Sequence, residues 1–288
     1  MRFQVSGRLE YEISQPSTLI LNIHAQRNPG QTILEEHFSV EPYVQVEEFS
    51  PDGDENRFVR LETGKKKQLA ISYSAVVECH HELVPTTKIE HVPVAELDRR
   101  VIPYLFPSRY CQSDRLSRLS WDLFGKIAHP YKRVMAITDW IHDNVEYLRG
   151  STDSETSAYD TVTQRTGVCR DFAHLGIALC RALSIPARYF TGYAYQLEPP
   201  DFHACFEAYV GGQWLVFDPT RLSSPNGLVR IANGRDAADA AVASIFGRAR
   251  GTKMEVDCQV VKGQKFVPLT RQQLLRKGVC LELDRAPS

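Results

Sequence analysis

The sequence predicts an α+β protein in which an N-terminal antiparallel β-sandwich precedes a helical cluster packed on a second antiparallel sheet. Three observations predict this fold class. The first third of the chain alternates apolar and polar residues, the middle has apolar residues at helical spacing, and Gly211-Gly212 separates two further alternating segments. Period-two alternation is typical of half-buried strands, and recurrence every three or four residues is typical of amphipathic helices.

Length and composition are those of an ordinary soluble protein with two domains. The 288 residues are 43% hydrophobic and 24% charged, with a formal net charge of −1. This balance argues against nucleic acid or an acidic membrane surface as the principal partner. The first residues form a strand pattern rather than a secretory segment, and no apolar run approaches the ~20 residues that span a bilayer. The 7 cysteines, an odd number, indicate free thiols in a reducing compartment, which predicts a cytoplasmic protein.

Residues 1–95 are predicted to form the β-sandwich. Apolar side chains such as Phe3, Val5 and Leu9 alternate with polar ones, and similar runs recur with proline and glycine between them. Residues 96–110 are predicted to be a linker. The sandwich and the domain that follows would then each have a core of their own.

Residues 111–250 are predicted to form the second, catalytic domain. Helical spacing over residues 114–129 and 131–144 predicts two helices. A mostly apolar run over residues 172–183, which stops before a proline, predicts a central and buried helix. The other two helices are expected to pack around it.

The C-terminal part is less sharply patterned. Residues 235–246 are predicted to form a short helix, and residues 251–288 return to β alternation. The sequence leaves open whether these last strands complete the first sheet or extend the second.

Cys169 lies at the junction of a polar loop and the buried helix. The loop ends in Gly167, and the apolar helical run starts at Phe172. A cysteine at a helix N-terminus meets unpaired backbone N–H groups and the positive end of the helix dipole, both of which favour a thiolate. This position predicts a nucleophile rather than an inert buried thiol.

His203 and Asp218 lie on the two strands of a predicted hairpin. His203 precedes Gly211 by 8 residues, and Asp218 follows Gly212 by 6. A two-residue turn sets neighbouring strands ~5 Å apart, so this offset of two places the side chains within diagonal reach. Cysteine, histidine and acid in this order predict a nucleophile, its base and the group that orients the base.

His174 is a rival histidine. It follows Cys169 by five residues, about 140° around a helix, and therefore faces away from the thiol. We interpret it as a buried polar residue, with Asp171 at the i, i+3 spacing as a candidate partner.

Metal binding is not predicted. The chain has no Cys-x-x-Cys pair, so a zinc site is not indicated. Asp52, Asp54 and Glu55 lack the spacing of a calcium loop and are interpreted as a hairpin tip. No metal or other cofactor is expected.

Three short motifs surround the predicted triad. They are Gly-x-Cys-x-Asp over residues 167–171, His203-Ala204 on the first hairpin strand, and Trp214 followed by Asp218-Pro219-Thr220. Together they resemble the bacterial transglutaminase-like domain of the papain-like cysteine enzyme superfamily. The resemblance covers roughly residues 100–250, and residues 1–95 more loosely as the family's N-terminal β domain.

The resemblance implies a papain-like core with the nucleophile at the start of a buried helix, and an activity on amide bonds. Cys205 stands where many members carry tryptophan and shares a strand face with His203. We expect it to form the wall of the site together with Asp171 and Trp214. The difference bears on substrate shape and not on the triad.

The expected chemistry is acyl transfer through a thioester. His203 activates Cys169 while Asp218 fixes the imidazole tautomer, and the thiolate attacks an amide or peptide carbonyl. The developing oxyanion would be stabilised by the Cys169 backbone N–H and by one side-chain donor. Three side chains are candidates for that donor: Tyr147, Tyr159 and Gln164.

The acceptor decides the outcome. Water gives hydrolysis and a primary amine gives cross-linking, and the choice depends on how well the site excludes water. Intracellular bacterial members resemble peptidases or amidases more than calcium-driven cross-linkers, so hydrolysis of a protein or peptide substrate is expected, with protein-glutamine transamidation as the alternative. A catalytically idle scaffold on the same fold and a metal-binding or redox protein are further alternatives.

Overall fold

The structure, a computed structural model, describes residues 1–51 and 55–283. Asp52 and Asp54 of the predicted hairpin tip lie outside the described residues. The helices are α1 (Ser117–Phe124), α2 (Pro130–Asn144), α3 (Ala158–Gln164), α4 (Cys169–Ala182) and α5 (Arg271–Leu274). The strands are β1 (Arg2–Ile13), β2 (Thr18–Leu21), β3 (Gln31–Glu41), β4 (Val46–Phe49), β5 (Phe58–Glu62), β6 (Gln68–Cys79), β7 (Glu82–Pro85), β8 (Glu146–Tyr147), β9 (Thr166–Gly167), β10 (Ala187–Ala194), β11 (His203–Val210), β12 (Gln213–Phe217), β13 (Leu228–Gly234), β14 (Ala243–Phe246), β15 (Ala249–Val260) and β16 (Lys277–Cys280).

Two four-stranded antiparallel sheets account for the β-rich N-terminal part. The first has the order β15-β1-β6-β3 and the second the order β14-β2-β5-β4. Along β1, buried side chains alternate with more exposed ones, as the sequence predicts. The buried side of β1, for example Phe3 and Leu9, shares one hydrophobic core with Leu19 and Leu61 of the second sheet.

The C-terminal strands return to the N-terminal part of the chain. β15 pairs along the length of β1, and β14 pairs with β2. The question left open by the sequence is thereby answered, since β15 completes the first sheet. The predicted helix over residues 235–246 is wrong, because residues 243–246 find strand partners in β2 and this tertiary pairing overrides local preference. The domain boundaries themselves stay predictions.

The third sheet, of order β12-β11-β10-β13, carries the central helix α4. The predicted buried helix is confirmed, with nearly all its residues out of contact with solvent. Gly176 lets it approach the sheet closely, since a Cβ there would lie 2.4 Å from the Phe206 ring. Helix α1 is shorter than the predicted helix over residues 114–129. It ends at Phe124, and a 3₁₀ turn over residues 113–116 precedes it. The α+β class is confirmed.

Buried hydrogen bonds fix the third sheet to the N-terminal sheets. The Tyr193 hydroxyl donates to the Ile23 carbonyl at 2.7 Å. The Gln31 amide donates to the Arg230 carbonyl at 2.9 Å and accepts from the Arg230 backbone N–H at 2.8 Å. Buried hydrogen bonds of this kind set the relative position of the elements they join, because leaving either partner unpaired is costly.

None of the helices in the described ranges is long and apolar enough to cross a membrane. The cytoplasmic location stays a prediction.

A buried ion cluster lies on β11. Glu207 is fully buried, and its carboxylate binds Arg188 Nε at 2.7 Å and the Arg230 guanidinium at 2.5 and 2.9 Å. Arg188 also pairs with Glu282 near the C-terminus. Burial alone would raise the pKa of Glu207, but the two arginines outweigh burial and lower it to about 2.

We predict that Glu207→Gln lowers the free energy of unfolding by about 3–5 kcal/mol, because two buried guanidiniums lose their shared counter-charge. Urea unfolding measures this. Because the folded-state pKa of Glu207 lies below the unfolded value of ~4.3, its stabilisation is present above that value and is lost as the pH falls toward 2.

The matched control is Glu47→Gln, which removes an exposed carboxylate paired with Arg60. Exposed pairs contribute about 0–1 kcal/mol, so this control is expected to change little. Equal losses in the two variants would contradict the role given to the buried cluster.

Candidate active site

Cys169 is the first residue of α4, and Asp171 holds this junction in place. The fully buried Asp171 carboxylate accepts the Val168 backbone N–H at 2.9 Å and the Thr152 hydroxyl at 2.7 Å, both through Oδ2. Its Oδ1 pairs with Arg170 at 2.9 Å. Asp171 therefore acts as a helix N-terminal capping group that orients the loop before the thiol. Asp171, one of the predicted wall residues, is therefore fully buried beside the loop that precedes Cys169.

His203 and Asp218 lie side by side at the open end of the predicted hairpin. Gly211 and Gly212 have φ values of 65° and 81°, which a two-residue turn of this hand requires. The register pairs Phe206 with Phe217. The next residue, Asp218, therefore lies opposite Cys205 and diagonal to His203. His203 Nε2 lies 2.8 Å from Asp218 Oδ2, and both side chains are buried.

Thr220 fixes the Asp218 carboxylate from its other side. Asp218 Oδ1 accepts the Thr220 backbone N–H at 2.9 Å and the Thr220 hydroxyl at 2.7 Å. Burial would raise the pKa of Asp218, but His203 and these hydrogen bonds hold it below its ordinary value. The acid therefore stays ionised and keeps one orientation.

The Cys169 thiol lies beside the His203 ring. Burial alone would lower the pKa of His203, but Asp218 and then Cys169 outweigh burial and raise it to about 10. Asp218 occupies Nε2, and Nδ1 has no hydrogen bond of standard geometry to any described residue. Nδ1 is thus the ring nitrogen that remains available to the thiol. A histidine with this pKa is an imidazolium at neutral pH, which is the state that pairs with a thiolate.

The Tyr147 hydroxyl lies near the thiol and the Cys169 backbone N–H. Burial raises the pKa of Tyr147 to about 12, the Cys169 thiol adds to this, and the Cys169 backbone N–H acts in the opposite direction. Strand β8, which carries Tyr147, pairs with β9 just before Cys169. The Cys169 backbone N–H is directed toward the Tyr147 oxygen, and both groups lie beside the sulfur.

The other two donor candidates lie elsewhere. The Tyr159 ring stacks under the Arg115 guanidinium at 3.6 Å, and Gln164 is exposed at the C-terminal end of α3. Of the three candidates, Tyr147 is the one that the structure brings to the thiol. Its sequence signal was weak, because a two-residue strand leaves no periodicity.

The six other cysteines differ from Cys169 in their surroundings. Burial raises the pKa of each of these thiols, for example to about 12 for Cys79 and to about 11 for Cys280. They are therefore neutral thiols near pH 7. Cys169 is partly exposed and has a histidine beside it. Within residues 1–51 and 55–283, no group of three or more His, Cys, Asp or Glu side chains has a metal-binding arrangement.

The geometry agrees with what comparison with known proteins shows. A family model described as "Bacterial transglutaminase, N-terminal domain" matches residues 1–100, and one described as "Transglutaminase-like superfamily" matches residues 118–219. The crystal structure of a candidate cysteine protease from Cytophaga hutchinsonii is 55% identical, covers 97% of each chain and superposes with a TM-score of 0.94. The chain belongs to the transglutaminase-like superfamily. The predicted resemblance is thus confirmed.

Relatives of this transglutaminase-like chain occur in mycobacteria. An uncharacterised Mycobacterium leprae protein is 28% identical over 209 residues, which are 68% of this chain and 74% of that protein. An uncharacterised Mycobacterium tuberculosis protein is 34% identical over 115 residues, which are 34% of this chain and 36% of that protein.

Cys205 and Trp214, the other two predicted wall residues of this transglutaminase-like site, lie at different distances from the triad. Cys205 is fully buried two residues from His203, in an apolar cluster with Phe190 and Val216. Trp214 lies four residues from Asp218, roughly 13 Å along the strand. Its ring contacts Tyr104 and Tyr209 at 5.2 Å each. Trp214 therefore packs the turn end of the hairpin and does not line the crevice at the thiol.

His174 is buried, as predicted, but its partner is not Asp171. Its Nε2 accepts the Ala237 backbone N–H at 3.1 Å, and its ring stacks on Tyr110 at 5.0 Å. Burial holds the pKa of His174 well below its ordinary value, so the ring stays neutral. The partner comes from a segment distant in sequence, which helical spacing does not reveal.

Sequence reasoning missed an ion pair beside the site. Arg149 follows Tyr147 by two residues, and Asp201 precedes His203 by two. Their side chains lie 3.7 Å apart. The charges of both act on Tyr147, and Asp201 also acts on His203. Burial raises the pKa of Asp201. In the sequence, only the short distance of Arg149 from Tyr147 and of Asp201 from His203 pointed to this pair.

We predict that Asp218→Asn moves the alkaline limb of the kcat/KM profile to lower pH, because burial then lowers the pKa of His203 without the opposing carboxylate. The pKa of His203 is raised from its ordinary value of 6.5 to about 10. The imidazolium is therefore fully present below pH 6.5 and is lost only as the pH rises through about 10. The rate is expected to fall by up to ~10⁴-fold. A reporter amide assayed across pH measures both.

Thr220→Val is the control. It removes the Thr220 hydroxyl that fixes the carboxylate but leaves the negative charge, so the limb is expected to stay in place while the rate falls less. An unmoved limb in Asp218→Asn would contradict the electrostatic role of the acid.

Proposed function

We propose that this chain catalyses cysteine-dependent acyl transfer on amide or peptide bonds, with hydrolysis as the outcome. The single observation that carries the proposal is the convergence of Cys169, His203 and Asp218 from a helix start and two strands. Membership of the transglutaminase-like superfamily and the similarity to a candidate cysteine protease support a cysteine-dependent activity.

The proposed first step is attack of the Cys169 sulfur on the substrate carbonyl. The His203 imidazolium offsets the negative charge of the thiolate and then gives its proton to the leaving amine. Asp218 keeps the ring in one orientation through the 2.8 Å hydrogen bond. The products of this step are a thioester on Cys169 and the released amine.

The developing oxyanion would accept hydrogen bonds from the Cys169 backbone N–H and the Tyr147 hydroxyl. Burial raises the pKa of Tyr147, so the hydroxyl keeps its proton near neutral pH and remains a donor. Both groups belong to regular elements, strand β8 and the first residue of α4. Donors carried by such elements favour stabilisation of the transition state over the ground state. Water, activated by His203, then hydrolyses the thioester.

A second candidate function is transfer to a primary amine. The observation that favours it is Asp201, a partly buried carboxylate whose charge acts on both His203 and Tyr147. The Arg149 side chain that pairs with Asp201 is half-exposed, so a cationic acceptor can take the place of this arginine beside the carboxylate. A peptide-library digest run with and without an added amine, and read by mass spectrometry, separates the two outcomes: cleaved peptides indicate hydrolysis, and amine adducts indicate transfer.

We predict that Cys169→Ala loses all turnover of a reporter amide while its urea unfolding stays close to that of the wild type, because the side chain is small and partly exposed. Iodoacetamide at neutral pH is expected to label Cys169 before the other six cysteines, of which Cys79 is partly exposed and five are buried. His203→Gln should slow that labelling. Retained turnover, or labelling of Cys169 no faster than of the other thiols, would remove the proposal.

Tyr147→Phe is expected to lower kcat by ~10²–10³-fold with little change in KM, because the lost donor acts on the oxyanion and not on the ground state. Steady-state kinetics on the reporter amide measures this. Tyr159→Phe is the matched control, since the Tyr159 ring lies against Arg115, and it should leave kcat unchanged. If the two variants behaved alike, Tyr147 would not be the second donor.

A further inference from the structure

A cavity of about 370 Å³ adjoins Asp218. Of the described residues, neither Cys169 nor His203 is among those that line it. This volume lies in the range of small-molecule sites. Asp218 is thus the member of the triad that the cavity contacts.

The lining is mostly apolar. Side chains of α2, β12, the segment after β12 and the segment before α5 form most of it, and the apolar members include Tyr131, Met135, Val216, Phe217, Leu222 and Leu269. The Tyr131 hydroxyl donates to the Leu274 carbonyl at 2.6 Å, and the Leu269 backbone N–H donates to the Ser224 hydroxyl at 3.0 Å. These bonds hold the walls together, so the cavity is preformed.

Two arginines line the same cavity and share one acceptor. Arg221 and Arg271 both bind Oδ1 of Asp139, Arg221 at 2.5 Å. Each of these three side chains reaches solvent, since Arg221 and Asp139 are 36% exposed and Arg271 is 37% exposed. Asp218 also lines the cavity, but His203 and Thr220 already engage both of its oxygens. Two guanidiniums facing one available carboxylate leave a net positive charge beside an apolar space.

Arg221 has an unusual backbone conformation. Its φ is 58°, in the left-handed region that side-chain-bearing residues seldom adopt. Its backbone N–H donates to the Asp218 carbonyl at 3.3 Å, which closes the turn after the triad acid. The turn thus connects the charged end of the cavity directly to Asp218.

We propose that this cavity binds an apolar ligand that ends in a carboxylate. The apolar chain would fill the space between α2 and β12, and the carboxylate would accept hydrogen bonds from Arg221 and Arg271, whose planar guanidiniums suit a carboxylate. Two sources share this chemistry: a medium-chain fatty acid and the C-terminus of an apolar peptide. The occupied site would hold the Asp218–Arg221 turn in one conformation. This binding does not depend on the proposed function.

The test measures binding to the Cys169→Ala protein, so that a failure of the proposed enzymatic function leaves the result intact. The probes are sodium decanoate, acetyl-Leu-Leu with a free carboxylate, and acetyl-Leu-Leu amide. Isothermal titration calorimetry is expected to show saturable binding of at least one carboxylate probe and at least tenfold weaker binding of the amide. Tighter binding of decanoate would identify an acyl chain as the source, and tighter binding of the peptide acid would identify a peptide terminus.

Two variants locate the site. Arg221→Gln with Arg271→Gln should weaken carboxylate binding at least tenfold, whereas Arg250→Gln, an exposed arginine paired with Glu12, should not. Should the double variant fail to fold, Leu222→Trp fills the cavity while both arginines remain, and it should abolish binding. Absence of binding by both carboxylate probes, or binding that the double variant or Leu222→Trp leaves unchanged, would overturn the proposal.

Discussion

The hydrogen bond between His203 Nε2 and Asp218 Oδ2 is the interaction on which the rest of the site depends. It joins β11 to the residue after β12, and both side chains are buried. A buried imidazole left alone would be neutral, but the carboxylate reverses this and makes the charged ring the stable form. The electrostatic state of the thiol partner is therefore set by strand register, and register is set by a two-residue turn.

The remainder of the fold keeps that pair and the nucleophile in fixed positions. Asp171 holds the loop that precedes Cys169, and Thr220 holds Asp218. Glu207 binds Arg188 and Arg230 from three strands of the same sheet, with Arg188 also reaching a residue near the C-terminus. The N-terminal sheets pack behind it through buried hydrogen bonds. A site built on a helix start and on strand ends is thereby held more rigidly than one built on loops alone.

Local patterns predicted the parts of this molecule that local physics decides. The Gly211-Gly212 turn and a count of residues along its strands were enough to place His203 diagonal to Asp218. The loop-to-helix junction placed Cys169 at the start of α4. Contacts between distant segments were not predictable: Ala237 as the partner of His174, β2 as the partner of residues 243–246, and the aromatic surroundings of Trp214 all depend on tertiary pairing. Tyr147 reached the thiol by the same kind of contact.

The charge state of His203 can be measured in the intact protein. Nuclear magnetic resonance of the imidazole nitrogens, assigned by comparison with His203→Gln, reports protonation of this ring as the pH is changed. We expect His203 to be an imidazolium at neutral pH and to lose its proton only near pH 10. If the ring is already neutral at pH 7, neither the Asp218 carboxylate nor the Cys169 thiol sets the charge of the histidine, and a thiolate–imidazolium pair is excluded.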